Sequence, residues 1–322
     1  MRQQDETSKW ASCIVTGGAG FIGSHICEEA LKLGKKVTCI DNLIAGKEEN
    51  MAEFRNNPNF KFVREDITHR LAIIPHFEDI DIVFHNAASK AVVCREDPKR
   101  DLEVNAWGTY IVAQCAATHG IKKLVHASTG SVYGEPIYYP CRVSETHPVN
   151  PVSFYGVSKL AGEKYLKAFY EYYGLKYSVL RYFHVYGPRQ ESSEYGGVIP
   201  IFIRRALNDE PLIIYGDGTQ TRSFTYVKDD VKANFLLSDP DTFNGWVLNS
   251  ASGIRITITE LANMVLKLMR KEDLEIKYED WRPGDIKYME VDNNQMCNLG
   301  LEFETDFESG LKRTIAWYKE SI

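Results

Sequence analysis

Three glycines spaced Gly17-x-x-Gly20-x-x-Gly23 follow the apolar run Cys13-Ile14-Val15 and constrain this chain more than any other feature. The run predicts a short buried strand. The helical pattern Phe21, Ile22, Ile26, Ala30, Leu31, Leu33 comes straight after the turn. A tight turn needs a residue without Cβ, and a pyrophosphate needs close approach to bare backbone. The free N–H groups at the helix N-terminus, with their partial positive charge, then face the phosphates. A second strand pattern, Lys36-Val37-Thr38-Cys39-Ile40, ends in Asp41, 24 residues after Gly17. A carboxylate there accepts both hydroxyls of an adenosine ribose and repels a 2′-phosphate, which predicts NAD rather than NADP. The alternative, an ordinary αβ turn with a surface acid, does not explain strand, helix and acid together.

Composition narrows the class. A 44% hydrophobic fraction in 322 residues is enough for a sizeable core, as two domains or as one domain with a lobe. The net charge of −6 gives no electrostatic case for nucleic acid or an anionic membrane. The seven cysteines form no CxxC pair, and Cys13, Cys27, Cys39 and Cys115 fall in apolar patterns expected to be buried as free thiols. Met1 to Lys9 has no apolar leader, and no stretch is long enough to span a bilayer. The expectation is a cytoplasmic enzyme without metal.

Further along, Phe60-Lys61-Phe62-Val63 reads as a third strand leading to Asp66-Ile67, where the acid either meets an adenine amino group or caps a helix. Asp81 to His85 is a fourth strand, followed by the small residues Ala87 and Ala88, which let backbone lie against a cofactor. A long helix is expected from Pro98 to His119, with Asn105 and Gly108 inside it, and a fifth strand from Lys122 to Ala127. Ser128-Thr129-Gly130-Ser131 is placed in the loop beyond that strand, where open parallel sheets bind ligands. Strands alternating with helices at this spacing predict an α/β chain with a doubly wound parallel sheet of Rossmann type.

Tyr155 and Lys159 lie four apart on the next helical pattern and share a face. A phenol is a poor base at neutral pH, but an adjacent ammonium and a cationic nicotinamide favour the phenolate. A solvent-facing Tyr/Lys pair is the simpler reading in isolation; the preceding fold pattern argues against it. After a sixth strand ending at Tyr182 the alternation becomes irregular. The expected division is a dinucleotide-binding domain over 1–182, with a returning segment near 222–250, and a smaller C-terminal α/β substrate lobe over 183–322.

These residues together resemble the extended short-chain dehydrogenase/reductase family, in its nucleotide-sugar epimerase/dehydratase branch, over nearly the whole chain. The carrying motifs are Thr16-Gly17-x-x-Gly20-x-x-Gly23, Asp41-Asn42, Asp66-Ile67, Ser89-Lys90-Ala91-Val92, Asn105 with Gly108-Thr109, Ser128-Thr129, Tyr155-x-x-x-Lys159, Arg181-Tyr182-Phe183, Gly216-Asp217-Gly218 and Arg282-Pro283-Gly284-Asp285. The resemblance implies a catalytic Tyr155, with Lys159 as its electrostatic partner and ribose ligand, and Thr129 bonded to the reacting sugar hydroxyl. It implies that Lys90 reaches the cofactor and that Arg222 and Arg282 clamp the diphosphate of a nucleotide sugar, a role suited to a planar fork of donors. It extends the cofactor contacts to Phe21, Ile22, Asn42, Ile67, Ala87, Ala88, Asn105, Ser128 and Tyr182. The substrate contacts extend to Ser131, His184, Val198 and Tyr215, and Met289 is implied as a gate beside the sugar's 2-substituent that admits N-acetyl groups. It further implies a UDP-linked substrate and a homodimer formed through the helices at 98–119 and 153–173. His184 stands where family members usually carry Asn, and Ser223 where many carry Asp, which bears on the sugar and not on the reaction class.

The resemblance also bears on the reaction. Dehydratases of this family usually place an Asp-Glu pair directly after the catalytic Thr, and decarboxylases keep a Glu at the second of these positions. Here they are Gly130 and Ser131, neither of which is an acid or base at neutral pH. The expectation is therefore 4-epimerisation through a 4-keto sugar. A dehydratase or C5-epimerase would need Cys94, Glu135, Cys141 or His184 instead, and a non-catalytic dinucleotide-binding protein would typically have lost Tyr155 or Lys159.

Overall fold

A computed structural model describes residues 9–89, 97–135, 142–193, 196–281, 289–303 and 305–321. Its main sheet has seven strands: β1 (Ser12–Thr16), β2 (Lys36–Ile40), β3 (Phe60–Val63), β4 (Ile82–His85), β5 (Lys123–Thr129), β6 (Tyr177–Tyr182) and β7 (Trp246–Ser250). Their order is β7-β6-β5-β4-β1-β2-β3, and every pairing is parallel. This is the doubly wound Rossmann-type α/β fold. The apolar strand runs have a simple cause, since both faces of the sheet are covered. Val15 and Phe84 pack on one side with Ile26, Leu180 and Leu248. Their strand neighbours Ile14 and Val83 pack on the other side with Ile111, Leu124 and Leu166.

The chain order reverses between β1 and β4, so a crevice opens at the carboxyl ends of these two strands. Gly17 follows β1 with φ +68°, and a Cβ there would stand 2.7 Å from the Ala87 backbone nitrogen after β4. The two strand ends approach each other because Gly17 has no side chain. The first helix (Phe21–Lys32) starts at Gly20 with no side-chain cap and no acid in its first turn, leaving its N–H groups for an anion.

Two expected boundaries move. β5 continues through Ser128 and Thr129, so these residues belong to the sheet and not to the loop beyond it; Thr129 is in register with Tyr182. The long helix at 98–118 contains a π-helical stretch, Leu102–Trp107, between α-helical Pro98–Asp101 and Gly108–Thr118. Such stretches concentrate at functional sites. The helix Phe154–Tyr173 is capped by Ser153, whose hydroxyl accepts from the Gly156 N–H, and ends at left-handed Gly174.

Residues beyond about 183 build a separate core from Ile199, Phe202, Leu212, Ile214, Leu261, Val265, Leu311 and Ile315. The helix Val198–Leu207 and the paired strands Leu212–Tyr215 and Ile276–Glu279 frame it. Within 222–250, β7 joins the main sheet and the helix Val227–Leu237 packs on the first helix. Thr221–Ser223 pairs with Arg255–Thr257, outside the main sheet.

Candidate active site

A cavity of about 520 Å³ follows the crevice. Gly17, Gly20, Phe21, Ile22 and Gly23 form its floor, Asp41, Asn42, Asp66 and Ile67 one end, and Ala87, Ala88, Ser128, Tyr155, Lys159 and Tyr182 the other. The fold brings these sequence-predicted residues together around one cavity. The sequence missed several more that line the cavity: Asn50, Arg100, Val104 and Gln190. No local pattern marks any of these, since each arrives by tertiary packing.

The Asp41 carboxylate is 7% exposed. Its Oδ2 accepts from the Ala19 N–H at 3.0 Å and its Oδ1 from the Leu43 N–H at 2.8 Å. Burial raises its pKa, while the two backbone donors pull the other way. A carboxylate has about four lone-pair sites, so about two remain, one on each oxygen, which matches the two hydroxyls of a ribose. Asp66 differs. Its Oδ1 accepts from the N–H and the hydroxyl of Thr68 at 2.9 and 2.7 Å, and its Oδ2 from Asn42 Nδ2 at 2.8 Å and Arg100 Nη2 at 2.7 Å. It forms an Asx turn rather than a helix cap, and its acceptor capacity is already taken within the protein.

At the other end, Tyr155 and Lys159 both face the cavity from the helix Phe154–Tyr173, and Lys159 is 1% exposed. Beneath Lys159 lie the stacked rings of His85 and His126, 5.1 Å apart. Burial first, and the Lys159 charge second, push His85 down to about 3 and His126 well below its usual range, so both stay neutral. The Thr109 hydroxyl donates to the Asn105 carbonyl at 2.6 Å, so it accepts from His85 Nε2–H at 2.9 Å. His85 Nδ1 then accepts from the Thr16 hydroxyl at 2.7 Å.

One helical turn past Lys159, Glu163 joins three elements. It takes both prongs of Arg181, Nε at 3.0 Å and Nη2 at 2.7 Å, and accepts from the Ser128 hydroxyl. The Arg181 guanidinium also stands 4.7 Å from the Tyr133 ring.

Asn105 is fully buried and does not line the cavity. From the π-helical stretch its amide accepts from the Ser89 N–H at 2.8 Å and donates to Ser158 Oγ at 3.2 Å, which ties the loop after β4 to the Tyr155 helix. Thr129 and Ser131 are not among the cavity's lining residues and are bonded to each other, hydroxyl to hydroxyl, at 3.2 Å. A Cβ at Gly130 would stand 2.3 Å from the Phe183 ring, so that ring closes this position to any side chain.

His184 has left-handed backbone, φ +38°, uncommon away from glycine. Its ring is reached by solvent yet walled by protein, and that wall together with the Arg222 charge lowers its pKa and keeps it neutral. Arg222 is buried, and among the described residues the buried hydroxyls of its neighbours Thr221 and Ser223 have no partner. Val198 opens its helix, and Tyr215 ends a strand beside a hollow formed by Gly216, Asp217, Tyr278 and Trp281. Met289 is packed with Val132, Tyr133 and Phe183, 5% exposed, so the expected gate is part of a small core cluster. Lys90, Cys94, Cys141 and Arg282 lie outside the described residues.

Residues 13–247 match the model of the NAD dependent epimerase/dehydratase family. This chain belongs to that family. The UDP-N-acetylglucosamine 4-epimerase from Methanobrevibacter ruminantium, solved with UDP-N-acetylmuramic acid, is 38% identical with a TM-score of 0.91, over 97% of this chain and 99% of that one. The UDP-glucose 4-epimerase from Thermotoga maritima, solved with UDP-glucose, is 35% identical with a TM-score of 0.91, over 96% and 99%. A UDP-glucose 4-epimerase from Mycolicibacterium smegmatis is 34% identical over 311 residues, 95% of this chain and 98% of its own length. The family cofactor is NAD, and the cavity fits it on independent grounds. The glycine turn is a cradle that a Cβ would fill, Asp41 retains lone pairs for a ribose, and both buried amide atoms of Asn86 at the cavity wall have no partner among the described residues. Among the described residues no cluster of His, Cys, Asp and Glu could hold a metal ion, and no helix is long and apolar enough to cross a membrane.

Proposed function

We propose that this chain is an NAD-dependent nucleotide-sugar 4-epimerase acting on a UDP-hexose or UDP-N-acetylhexosamine through a transient 4-keto sugar. The observation that carries this reading is the pairing of Tyr155 and Lys159 at one end of the cavity with a position, Gly130, that Phe183 closes to any acid or base. NAD, when bound, supplies the acceptor and later the donor of the hydride at C4. Tyr155 takes the proton of the sugar 4-hydroxyl, and the Lys159 ammonium lowers the cost of the phenolate. Thr129, in register with Tyr182, holds the same hydroxyl in line. The ketone then turns over in the pocket, and Tyr155 returns the proton to the other epimer.

Arg222, with Arg282 from outside the described residues, clamps the diphosphate, while Val198 and Tyr215 bound the nucleoside side. Ser131 and Lys90 complete the contacts around the sugar and the cofactor. A neutral His184 offers one donor and one acceptor, as the amide of Asn does, so it can replace Asn at the sugar. Met289 bears on the sugar through Phe183 and Tyr133, against which it packs. Its replacement by Tyr is expected to abolish turnover of N-acetylated sugars and spare plain hexoses.

Incubation with UDP-glucose, UDP-galactose and their N-acetylated counterparts, followed by NMR, tests the proposal. Inversion at C4 without loss of water supports it. A new C6 methyl signal would mean dehydration instead, and no change with any of the four would overturn both.

The partner proposed is a second copy of this chain. Phe154, Val157 and Tyr165 are exposed along one stripe of their helix, and Leu102 and Trp107 are exposed on the helix packed beside it. Trp107 stacks on Tyr110 at 5.1 Å, and Tyr110 meets Tyr165 edge-on at 5.6 Å, so the two helices share one apolar surface. Such a patch on a family of this kind fits an isologous helix bundle. The free thiols at Cys13, Cys27, Cys39, Cys115 and Cys297 fit a reducing, cytoplasmic setting.

A further inference from the structure

We propose that Asp66 is a second determinant of NAD over NADP, acting by holding Arg100 in a closed ion pair that keeps its guanidinium from a 2′-phosphate. The proposal rests on NAD as the occupant of the cavity. Asp41 alone looks sufficient for the choice, until the opposite wall is considered. Arg100 lines the same end of the cavity as Asp41, Asn42 and Ile67. An arginine beside the adenosine ribose is the group that accommodates a 2′-phosphate, through bidentate, charge-assisted hydrogen bonds. An available Arg100 would therefore work against Asp41.

The pair geometry removes it. Arg100 Nη2 donates to Asp66 Oδ2 at 2.7 Å, with the two side chains 27% and 16% exposed. Partial burial screens this pair less than a surface pair. Asp66 is itself immobilised, because Asn42 shares Oδ2 and Thr68 holds Oδ1 with two donors. Turning the carboxylate toward another partner would break four hydrogen bonds at once. Burial pushes the Asp66 pKa up, but Arg100, Thr68 and Asn42 together pull it well below the usual carboxylate range, so the ion pair persists at neutral pH. Two other cations that line the cavity are also paired. Arg189 binds Glu28 at 3.0 Å and Glu53 at 3.2 Å, and Lys47 stands 3.8 Å from Glu191.

The test is competitive equilibrium dialysis of the purified full-length enzyme against an equimolar mixture of NAD and NADP. Bound nucleotides are then released by denaturation and separated by chromatography. The readout is the bound NADP:NAD ratio, independent of turnover. Asp41→Asn provides the background, since it removes the first determinant. Adding Asp66→Asn is expected to raise the ratio a further tenfold or so, the size of effect a newly available charge-assisted contact gives. Adding Arg100→Ala to that double variant should abolish the gain. With Asp66 intact, Asp41→Asn/Arg100→Ala should match Asp41→Asn alone.

No gain from Asp66→Asn, or a gain that survives Arg100→Ala, would overturn the proposal. So would a lower ratio in Asp41→Asn/Arg100→Ala than in Asp41→Asn, because Arg100 would then have been available all along. If the Asp66 variants bind neither nucleotide, the comparison that keeps Asp66 decides. A wild-type enzyme that binds only NADP would overturn the assignment of NAD itself, a result distinct from any of these.

Discussion

Replacing Glu163 by Leu is expected to be among the most damaging single changes to this fold. The Glu163 and Arg181 side chains are 3% and 5% exposed and meet in a bidentate pair. In Glu163→Leu the guanidinium keeps its charge but loses its counter-ion, and Arg181 Nη1 already lacks a partner among the described residues. Removing one member of a buried pair costs about 3–5 kcal/mol. The Ser128 hydroxyl also loses its acceptor, worth about 1 kcal/mol. The Tyr133 face stays over Arg181 in both proteins and so does not enter the difference. The net loss is about 4–6 kcal/mol, or roughly three to four and a half decades in the folded-to-unfolded ratio. That is a large part of the ~5–15 kcal/mol that holds a typical domain together. Urea unfolding followed by tryptophan fluorescence measures it. The double variant Glu163→Leu/Arg181→Met should recover most of the loss, because neither charge is then buried. A loss under about 1 kcal/mol in the single variant, or a double variant less stable than the single, would refute the reasoning.

Tyr155→Phe should lower kcat by roughly 10²–10⁴ while bound NAD, measured after denaturation, stays near the wild-type level; near-normal turnover would place the base elsewhere. The Glu28 carboxyl is held well below the usual range by the His25 ring and by Lys32, Lys228 and Arg189, against the cost of burial. A depressed folded-state pKa gives stabilisation that is complete above the unfolded value, about 4.3, and is lost as pH falls through the folded one. Glu28→Gln should therefore flatten the fall in stability between pH 5 and pH 2, and identical acid limbs for the two proteins would contradict this. Val157→Glu puts a charge into the exposed apolar stripe and should leave a folded monomer in sedimentation velocity, whereas a wild-type protein that already sediments as a monomer would remove the proposed dimer.

The local chemistry of this chain was legible in its residues. Three glycines at a spacing of three, an acid closing the next strand, and a Tyr/Lys pair four apart on a helix are short-range patterns. Each owes its meaning to steps of one or two elements, such as a missing Cβ, a helix N-terminus or a shared helix face. They pointed to the parallel sheet, the dinucleotide crevice and a little under half of its lining. What the tertiary structure decided depends on residues far apart in the chain competing for the same atoms. Asp41 directly follows one strand and Asp66 lies three residues past the next, and as sequence both are offered to the adenosine; yet one retains lone pairs and the other is filled, by Thr68, by Asn42 and by Arg100 from a helix 34 residues away. Asn105 carries a family motif but acts from within the core, since the π-helical stretch points its amide at Ser89 and Ser158. Gly130 reads as an absent acid; only the fold shows that Phe183 fills the space an acid would need. The sequence determines which groups are supplied, and packing determines which of their donors, lone pairs and volumes remain for a ligand.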